Sequence, residues 1–504
     1  MSTAEFTAGS AGSTTVRTSA DLAAASRSRW MWLWRVHIYA GLFAIPFILV
    51  MATTGLVILY TQPIQDALQG DLRTVAEVGD TPVGLEAQLD AVWTAHPDYA
   101  ITAVTVPVDD RHSTRFDADD ASTPRHVFVD PYTAEVLGDT DPDGDIVGLA
   151  NRLHGHLNND AVTVGLPTVS ALWDGGEVMR DYVVGDLVLE LLGVWTFVLI
   201  ASGLYLRWPR RTRDGPGWRR FFGLEVAKKG RARWRDLHGI SGVAMTVMLL
   251  ITLVSGLAWS AYWGPHVTSI ANAISPNVWT DAPPSGAGTR GDLDRLGNQT
   301  NWNTHDQHLP ASGGVAAGED APAPIGVDSI AAVAEEEGML PGWTAFLASN
   351  SEGADGEIVH GSVTVSNSWP RKTGEARDLY LDQFTGETLG GQDVYGYGTV
   401  SRGLDTLVST HMGTQLGIAS RILMTALCIF AIWSVVTALM MFRKRRAPGS
   451  TGLPARRTQA KPTRSVGLFA LALGLAFPQW AVSALAVLGL DRAVGSLRAP
   501  RAAA

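Results

Sequence analysis

The chain has 504 residues, 46% of them hydrophobic, with a positive mean hydropathy of +0.10 and a formal net charge of -10 at pH 7. The length allows several domains, and the acidic balance argues against a partner gripped through its phosphates, so no nucleic acid is expected. Cys428 stands alone, which excludes an internal disulfide.

Residues 1–29 are rich in Ser, Thr and Ala and read as a disordered cytoplasmic tail. They lack the short apolar core and cleavage site of a signal peptide. Five apolar segments follow, each near the roughly 20 residues that cross a bilayer: 30–60, 182–208, 237–263, 418–442 and 466–490. An acidic domain, 61–181, separates the first two, and a second, 264–417, separates the third and fourth. Each domain has a helix-like stretch (84–95 and 327–337) and then a strand, tight turn and short strand. Those hairpins read Asp130-Pro-Tyr-Thr-Ala-Glu-Val-Leu-Gly and Asp382-Gln-Phe-Thr-Gly-Glu-Thr-Leu-Gly. Loops 209–236 and 443–465 join the remaining spans, and 491–504 form a tail.

Charge sets the orientation. Residues 207–235 hold eleven Lys/Arg against two acids, and 443–464 hold eight against none. Residues 61–182 carry 22 acids and 264–410 carry 19, against six Lys/Arg each. Basic loops stay in the cytoplasm, so both acidic domains face outward, the N-terminus lies inside and, with five spans, the C-terminus lies outside.

The two halves repeat. The first span reads His-x3-Gly-x13-Gly-Leu from His37 through Gly41 to Gly55, and the third repeats it from His238 through Gly242 to Gly256. Each half carries one more histidine between its domain and its second span, His154 and His411. The fold expected is an α-helical membrane protein: a parallel duplication of span, small α+β domain and span, with a fifth C-terminal span. Its pseudo-two-fold axis along the membrane normal pairs His37 with His238 and His154 with His411. The spacing puts the pairs about 20 Å apart within a hydrocarbon core about 30 Å thick.

An ionisable side chain at membrane depth points to function, although a histidine near a helix end also serves as an interfacial polar residue. Two imidazole pairs toward opposite faces are the layout of a two-haem, bis-histidine cytochrome. Without Cys-x-x-Cys-His the haem is non-covalent, of b type. His156 is the alternative to His154, since two positions apart on a helix they point to different faces. Arg35, Arg152 and Arg235 precede the ligand histidines and are candidates to pair with haem propionates. Glu190, inside the second span, reads as a proton relay or quinol-site group, or as a carboxyl bonded to a neighbouring helix. The [Ser/Thr]-Gly-Leu triplets at Thr54, Ser202 and Ser255 read as close-packing sites. His305 and His308 have metal-ligand spacing but sit in a Gly/Ala/Pro-rich stretch that reads as a loop. The cytoplasmic loops are too short for a flavin or nicotinamide domain, so electrons come from a quinol or a separate cytoplasmic donor.

The residues Asp130-Pro-Tyr-Thr-Ala-Glu, Arg152-Leu-His-Gly, Leu189-Glu-Leu-Leu-Gly, Ser202-Gly-Leu-Tyr-Leu-Arg-Trp-Pro, Arg235-Asp-Leu-His-Gly and Ser255-Gly-Leu-Ala-Trp together resemble the PepSY-associated transmembrane proteins of bacterial inner membranes. Some of that family are haem-containing ferric-siderophore reductases. The resemblance implies periplasmic PepSY domains, haem ligation by His37, His154, His238 and His411, and localisation in the inner membrane among lipid. Two functions follow as expectations. One is a di-haem oxidoreductase that carries electrons to a ferric chelate in iron uptake. The alternative is a non-redox membrane sensor or protease-modulating protein whose PepSY domains bind partners.

Overall fold

The computed structural model describes residues 19–121, 123–159, 161–167, 178–209, 211–212, 215–223, 228–277, 285–293, 304, 307–313, 322–352, 358–367, 371–445 and 464–497. The expected tail over 1–18, most of the second basic loop and the chain beyond 497 lie outside these residues. So does His305, which leaves its pairing with His308 undescribed.

Helix α1 covers Ser19–Leu59, α2 Leu85–Ala95 and α3 Ile146–His156. Helices α4 (Val184–Arg207) and α5 (Gly230–Gly256) follow, then α6 (Gly264–Ile274), α7 (Val327–Glu336) and α8 (Thr399–His411). The chain ends with α9 (Ile418–Arg445), α10 (Arg464–Ala476) and α11 (Pro478–Leu497). Four helical stretches are long and apolar enough to cross a membrane: Arg29–Leu59, Val184–Arg207, Gly230–Trp259 and Ile418–Arg445. These match the first four expected spans. Helix α1 begins before the first span, so 19–29 are helical rather than part of a disordered tail. The run of alanines there is a strong helix former.

The expected fifth span is not one helix. It breaks at Phe477 into α10 and α11, because Pro478 has no N–H to give and its ring clashes with a preceding carbonyl. A Cβ built on Gly474 would lie 3.2 Å from Ala481 Cβ. Seven residues of straight helix would hold those positions about 10 Å apart, so the chain turns back on itself. The apolar arms, Val466–Ala476 and Pro478–Leu490, rise only about 17 and about 20 Å, short of the bilayer core. An outward C-terminus therefore loses its basis.

The chain forms two compact units: Met1–Ile45 with Val194–Ile240 and Ala438–Ala504, and Pro46–Gly193 with Ser241–Thr437. The second unit holds every strand of the main sheet. In chain order these are β1 (Ala100–Thr105), β2 (Thr114–Asp120), β3 (Thr123–Val129) and β4 (Val136–Thr140). A hairpin of β5 (Thr163–Pro167) and β6 (Met179–Val183) stands apart. Then come β7 (Thr344–Phe346), a side hairpin of β8 (Asn350–Glu352) and β9 (Ile358–His360), and β10 (Val363–Ser366), β11 (Arg377–Leu381) and β12 (Thr388–Asp393).

The two acidic domains share one eight-stranded sheet, ordered β12-β11-β10-β7-β1-β2-β3-β4. Each contributes four strands, and β1 meets β7 antiparallel, Val104 opposite Ala345. That joint covers an edge on each half that would otherwise offer unpaired amides. Helices α2 and α7 cover one face. Leu85, Leu89 and Val92 from α2, and Val327, Ile330 and Ala334 from α7, share a buried cluster with Val104, Phe116, Ala345, Val365 and Leu381.

The helices cap each other. Glu86 N–H donates to Asp328 Oδ1 at 3.3 Å, and Val327 N–H donates to Glu86 Oε2 at 2.9 Å. Each first-turn carboxylate meets the positive N-terminal end of the opposite helix. Gly84 and Gly326 make the approach possible, since a Cβ on either would lie 2.6 Å from the partner carboxylate. The hairpins also correspond. Asp130 Oδ1 accepts from Tyr132 and Thr133 N–H, and Asp382 Oδ1 accepts from Phe384 and Thr385 N–H. Both turns place a left-handed residue at the same point, Ala134 (φ 58°) and Gly386 (φ 73°).

In the first unit, Trp195 Nε1–H donates to Ser483 Oγ at 3.1 Å and the Trp195 ring lies 5.6 Å from Trp480. These contacts fix α11 against α4. Phe197 and Phe469 stack at 6.2 Å and do the same for α10.

Two predictions follow from the sheet unit. Asp328→Ala removes one of the reciprocal caps and is expected to cost about 0.5–2 kcal/mol, read as a lowered denaturation midpoint of the solubilised protein. His126 on β3 is held down to about 4 by burial first, and then by the Arg115 charge against the opposing pull of Asp117. The unfolded chain takes up a proton there as pH falls from 6.5 towards 4, while the folded domain refuses it. Stability should therefore fall through that window by on the order of 3 kcal/mol, and His126→Gln should lose this contribution. Identical midpoint-against-pH curves for the variant and wild type would refute it.

Candidate functional site

Helix α3 begins at Asp145, whose Oδ1 accepts from Val147 and Gly148 N–H at 2.8 Å each. The same carboxylate takes Gln65 and Gln69 Nε2–H through Oδ2 at 3.2 Å, which ties α3 to the segment that follows α1. The far end of α3 is just as constrained. Leu157 turns left-handed there (φ 54°), and Gly185 at the start of α4 packs so close to His156 O that no Cβ would fit. Helix α3 is thus clamped at both ends, with His154 facing α1.

Helix α8 is clamped in a similar way. Its first amides are capped from the end of α6: Gly398 N–H donates to Asn277 Oδ1 and Thr399 N–H to Ser275 Oγ, both at 2.9 Å. After His411 the chain passes through Gly413 (φ 75°), where a Cβ would meet Leu59 Cδ2 at 2.8 Å. Gln415 Oε1 accepts from Thr373 N–H at 3.0 Å and anchors this turn to the second acidic domain. His411 therefore closes a separate helix, rather than opening the fourth span.

These elements bring the four predicted histidines together as two pairs. The rings of His37 and His238 lie 6.2 Å apart between centroids, with planes crossed at 79°. Those of His154 and His411 lie 6.4 Å apart, crossed at 59°. His37 Nδ1 lies 2.9 Å from Ser202 Oγ, His154 Nδ1 2.9 Å from Thr54 Oγ1, and His411 Nδ1 2.9 Å from Ser255 Oγ. A glycine follows each of these hydroxyl residues, and two of the three lie against a ring. A Cβ on Gly203 would lie 3.2 Å from His37 Cε1, and one on Gly55 would lie 3.4 Å from His154 Cε1 and 3.6 Å from Cys428 Sγ. Burial pushes the His154 imidazole down to about 3, with repulsion from His411 adding to it, and pushes His411 down to about 4. Both are neutral at physiological pH, as a metal ligand must be.

His156 does not join the pair. It is about half exposed, and its Nδ1 lies 2.7 Å from Asp186 Oδ1. The arginines vary. Arg152 is committed to Asp143 and Asn158, Arg235 is exposed beside Asp236, and Arg35 lies 6.0 Å from the Tyr39 ring centre. Glu190 is buried and accepts from Tyr262 N–H at 2.9 Å.

The donor set can be tested against a cofactor. Two imidazoles on one metal at about 2 Å each put their ring centres about 6 Å apart, the spacing of both pairs. Edge-to-edge aromatic contacts fall in the same range. A simple ring contact does not account for hydroxyls on three Nδ1 atoms or for glycines that admit the rings against the helix backbone. Among the described residues no cluster of three or more His, Cys, Asp or Glu gathers in a metal-binding arrangement. A two-imidazole set suits a metal whose remaining ligands come with a macrocycle, and so fits haem.

The hydroxyls were the part missed in sequence. The [Ser/Thr]-Gly-Leu triplets were visible, but their glycines drew the interpretation toward packing, and no spacing rule links Thr54 to a histidine a hundred residues away. One prediction comes from the cradle. Gly55→Val forces a branched side chain onto His154 and Cys428 and is expected to destabilise by about 1–3 kcal/mol. The same change at Gly256, where a Cβ meets nothing within 4 Å, should cost less. Thermal midpoints of the two variants in detergent decide between them.

No curated protein matches the chain. The family profile described as the PepSY-associated TM region matches residues 34–445, a stretch that takes in most of the first span, the other three spans, both acidic domains and all four paired histidines, and the chain belongs to that family.

Proposed function

We propose that this protein is a b-type membrane cytochrome with two non-covalent haems, built from a duplicated unit, that carries electrons outward across a bacterial cytoplasmic membrane. Its proposed acceptor is a ferric chelate at the outer domains. Its proposed donor is a quinol or a separate cytoplasmic protein. The observation that carries this reading is the meeting of four histidines, widely separated in sequence, as two imidazole pairs at 6.2 and 6.4 Å.

Bound haem supplies a reversible one-electron carrier. The chain's part is to bind and orient it. His37 with His238, and His154 with His411, each offer two imidazoles, which leaves no protein-side position for a substrate and favours electron transfer over chemistry at the metal. Apolar side chains of the spans keep water away from the rings. Arg35 and Arg235 are proposed as propionate partners, and the Arg152 guanidinium is held by Asp143 and Asn158. The outer domains carry a large excess of acids, which repels strongly anionic chelates and favours neutral or cationic ones.

An absorption spectrum of the purified protein tests the reading. A reducible Soret and α-band at about two haems per chain is expected. His37→Ala and His411→Ala should each remove one haem, and the double variant both. A colourless protein from haem-replete cells would overturn the proposal in favour of a PepSY module that binds partners without redox chemistry.

A further inference from the structure

Three of the four imidazoles share a feature that pairing alone does not require. Each rests its Nδ1 on the hydroxyl of a Ser or Thr that begins a Gly-Leu step on a span. Each of those hydroxyls is also bonded within its own helix. Thr54 Oγ1–H donates to Val50 O at 2.7 Å, Ser202 Oγ–H to Val198 O at 2.6 Å, and Ser255 Oγ–H to Thr252 O at 3.2 Å.

A hydroxyl has one hydrogen and two lone pairs, and a carbonyl can only accept. With the hydrogen committed to the helix carbonyl, the oxygen faces Nδ1 as an acceptor, and Nδ1 must carry the proton. The tautomer is then fixed: Nδ1–H donates to the hydroxyl, and the lone pair sits on Nε2. We propose that Thr54, Ser202 and Ser255 are positioning residues that hold His154, His37 and His411 in the Nε2-ligand tautomer and set their ring planes, an inference that rests on the haem reading above.

The adjacent glycines serve the same arrangement. Gly55 and Gly203 let the imidazole edge lie against the helix, so the bond forms at 2.9 Å. The choice of a hydroxyl also has a chemical consequence. An outer partner that accepts from Nδ1–H raises the basicity of the ligand nitrogen. A neutral hydroxyl does this more weakly than a carboxylate would, and without placing a charge among apolar helices. Removing the acceptor should make the imidazole a poorer donor, destabilise the ferric state and raise the midpoint potential of that haem.

The test uses Thr54→Val, Ser255→Ala and Ser202→Ala in the full-length protein, with haem content, low-temperature EPR of the oxidised protein and redox potentiometry as readouts. Thr54→Val and Ser255→Ala act on the same pair and should shift the EPR signal and raise the potential of one haem. Ser202→Ala should shift the other haem. Thr54→Ser, which restores the hydroxyl, should return both readouts to wild-type values. Should Thr54→Val fail to fold, the two serine variants carry the test. A haem-replete wild type whose signals stay unmoved in the variants overturns this inference and leaves the haem reading standing. A shift that Thr54→Ser does not reverse also overturns it, by assigning the effect to packing. A haem-free wild type overturns both.

Discussion

An imidazole among membrane helices has two nitrogens, and water is not there to satisfy either. This constraint orders most of what surrounds the four paired histidines. Three of them satisfy Nδ1 with a hydroxyl taken from a span. The hydroxyl is affordable there because it can return its own hydrogen to the carbonyl one turn back, as Ser and Thr do inside helices. At Gly55 and Gly203 the glycine that follows removes a side chain that would press on the ring. On α1 and α4 the Ser/Thr-Gly step is therefore a compact receptor for an imidazole edge, whereas on α5 the hydroxyl of Ser255 alone receives the ring and Gly256 has open space beside it.

The His154–His411 pair imposes a second demand. Its members do not belong to spans but to short helices that follow the acidic domains, and a short helix holds a side chain only as well as its ends are held. Both ends of α3 and α8 are fixed: by Asp145 and the Gly185 contact for α3, and by Ser275, Asn277 and the Gly413 turn for α8. The shared sheet adds rigidity. Because β1 and β7 pair directly, the domain before α3 and the domain before α8 form one β-layer. The reciprocal caps of Glu86 and Asp328 lock the covering helices by the same exchange between halves. The result is two histidines, 257 positions apart, held at ligand spacing by a scaffold that neither half could complete alone.

Much of this was legible in the sequence, for reasons that can be named. Spans declare themselves by length and apolarity, and the repeat declared the partners: His37 with His238, and His154 with His411. The helices over 84–95 and 327–337 and both hairpins emerged close to where they were expected, because local signals govern them. What was not legible depended on contacts distant in sequence. The merging of the two domains into one sheet is decided by an edge pairing, Val104 with Ala345, that no periodicity announces. The choice between His154 and His156 depended on which side of α3 faces α1. The last apolar segment shows the opposite error. Its composition matches a span, and the local signal that overrides composition is a single residue, Pro478.

The break at Pro478 also changes what the C-terminal segment is for. A fifth crossing would only have added thickness to the bundle. A folded-back pair of short helices instead presses Trp480, Ser483 and Phe469 onto Trp195 and Phe197. Those residues lie on α4, within two turns of Ser202, the hydroxyl that receives His37. Trp195 also lies 6.4 Å from Phe43, less than two turns beyond His37 on α1. The hairpin thus braces the helix pair that carries one imidazole and its hydroxyl. For the His154–His411 pair, bracing comes instead from the folded sheet domain.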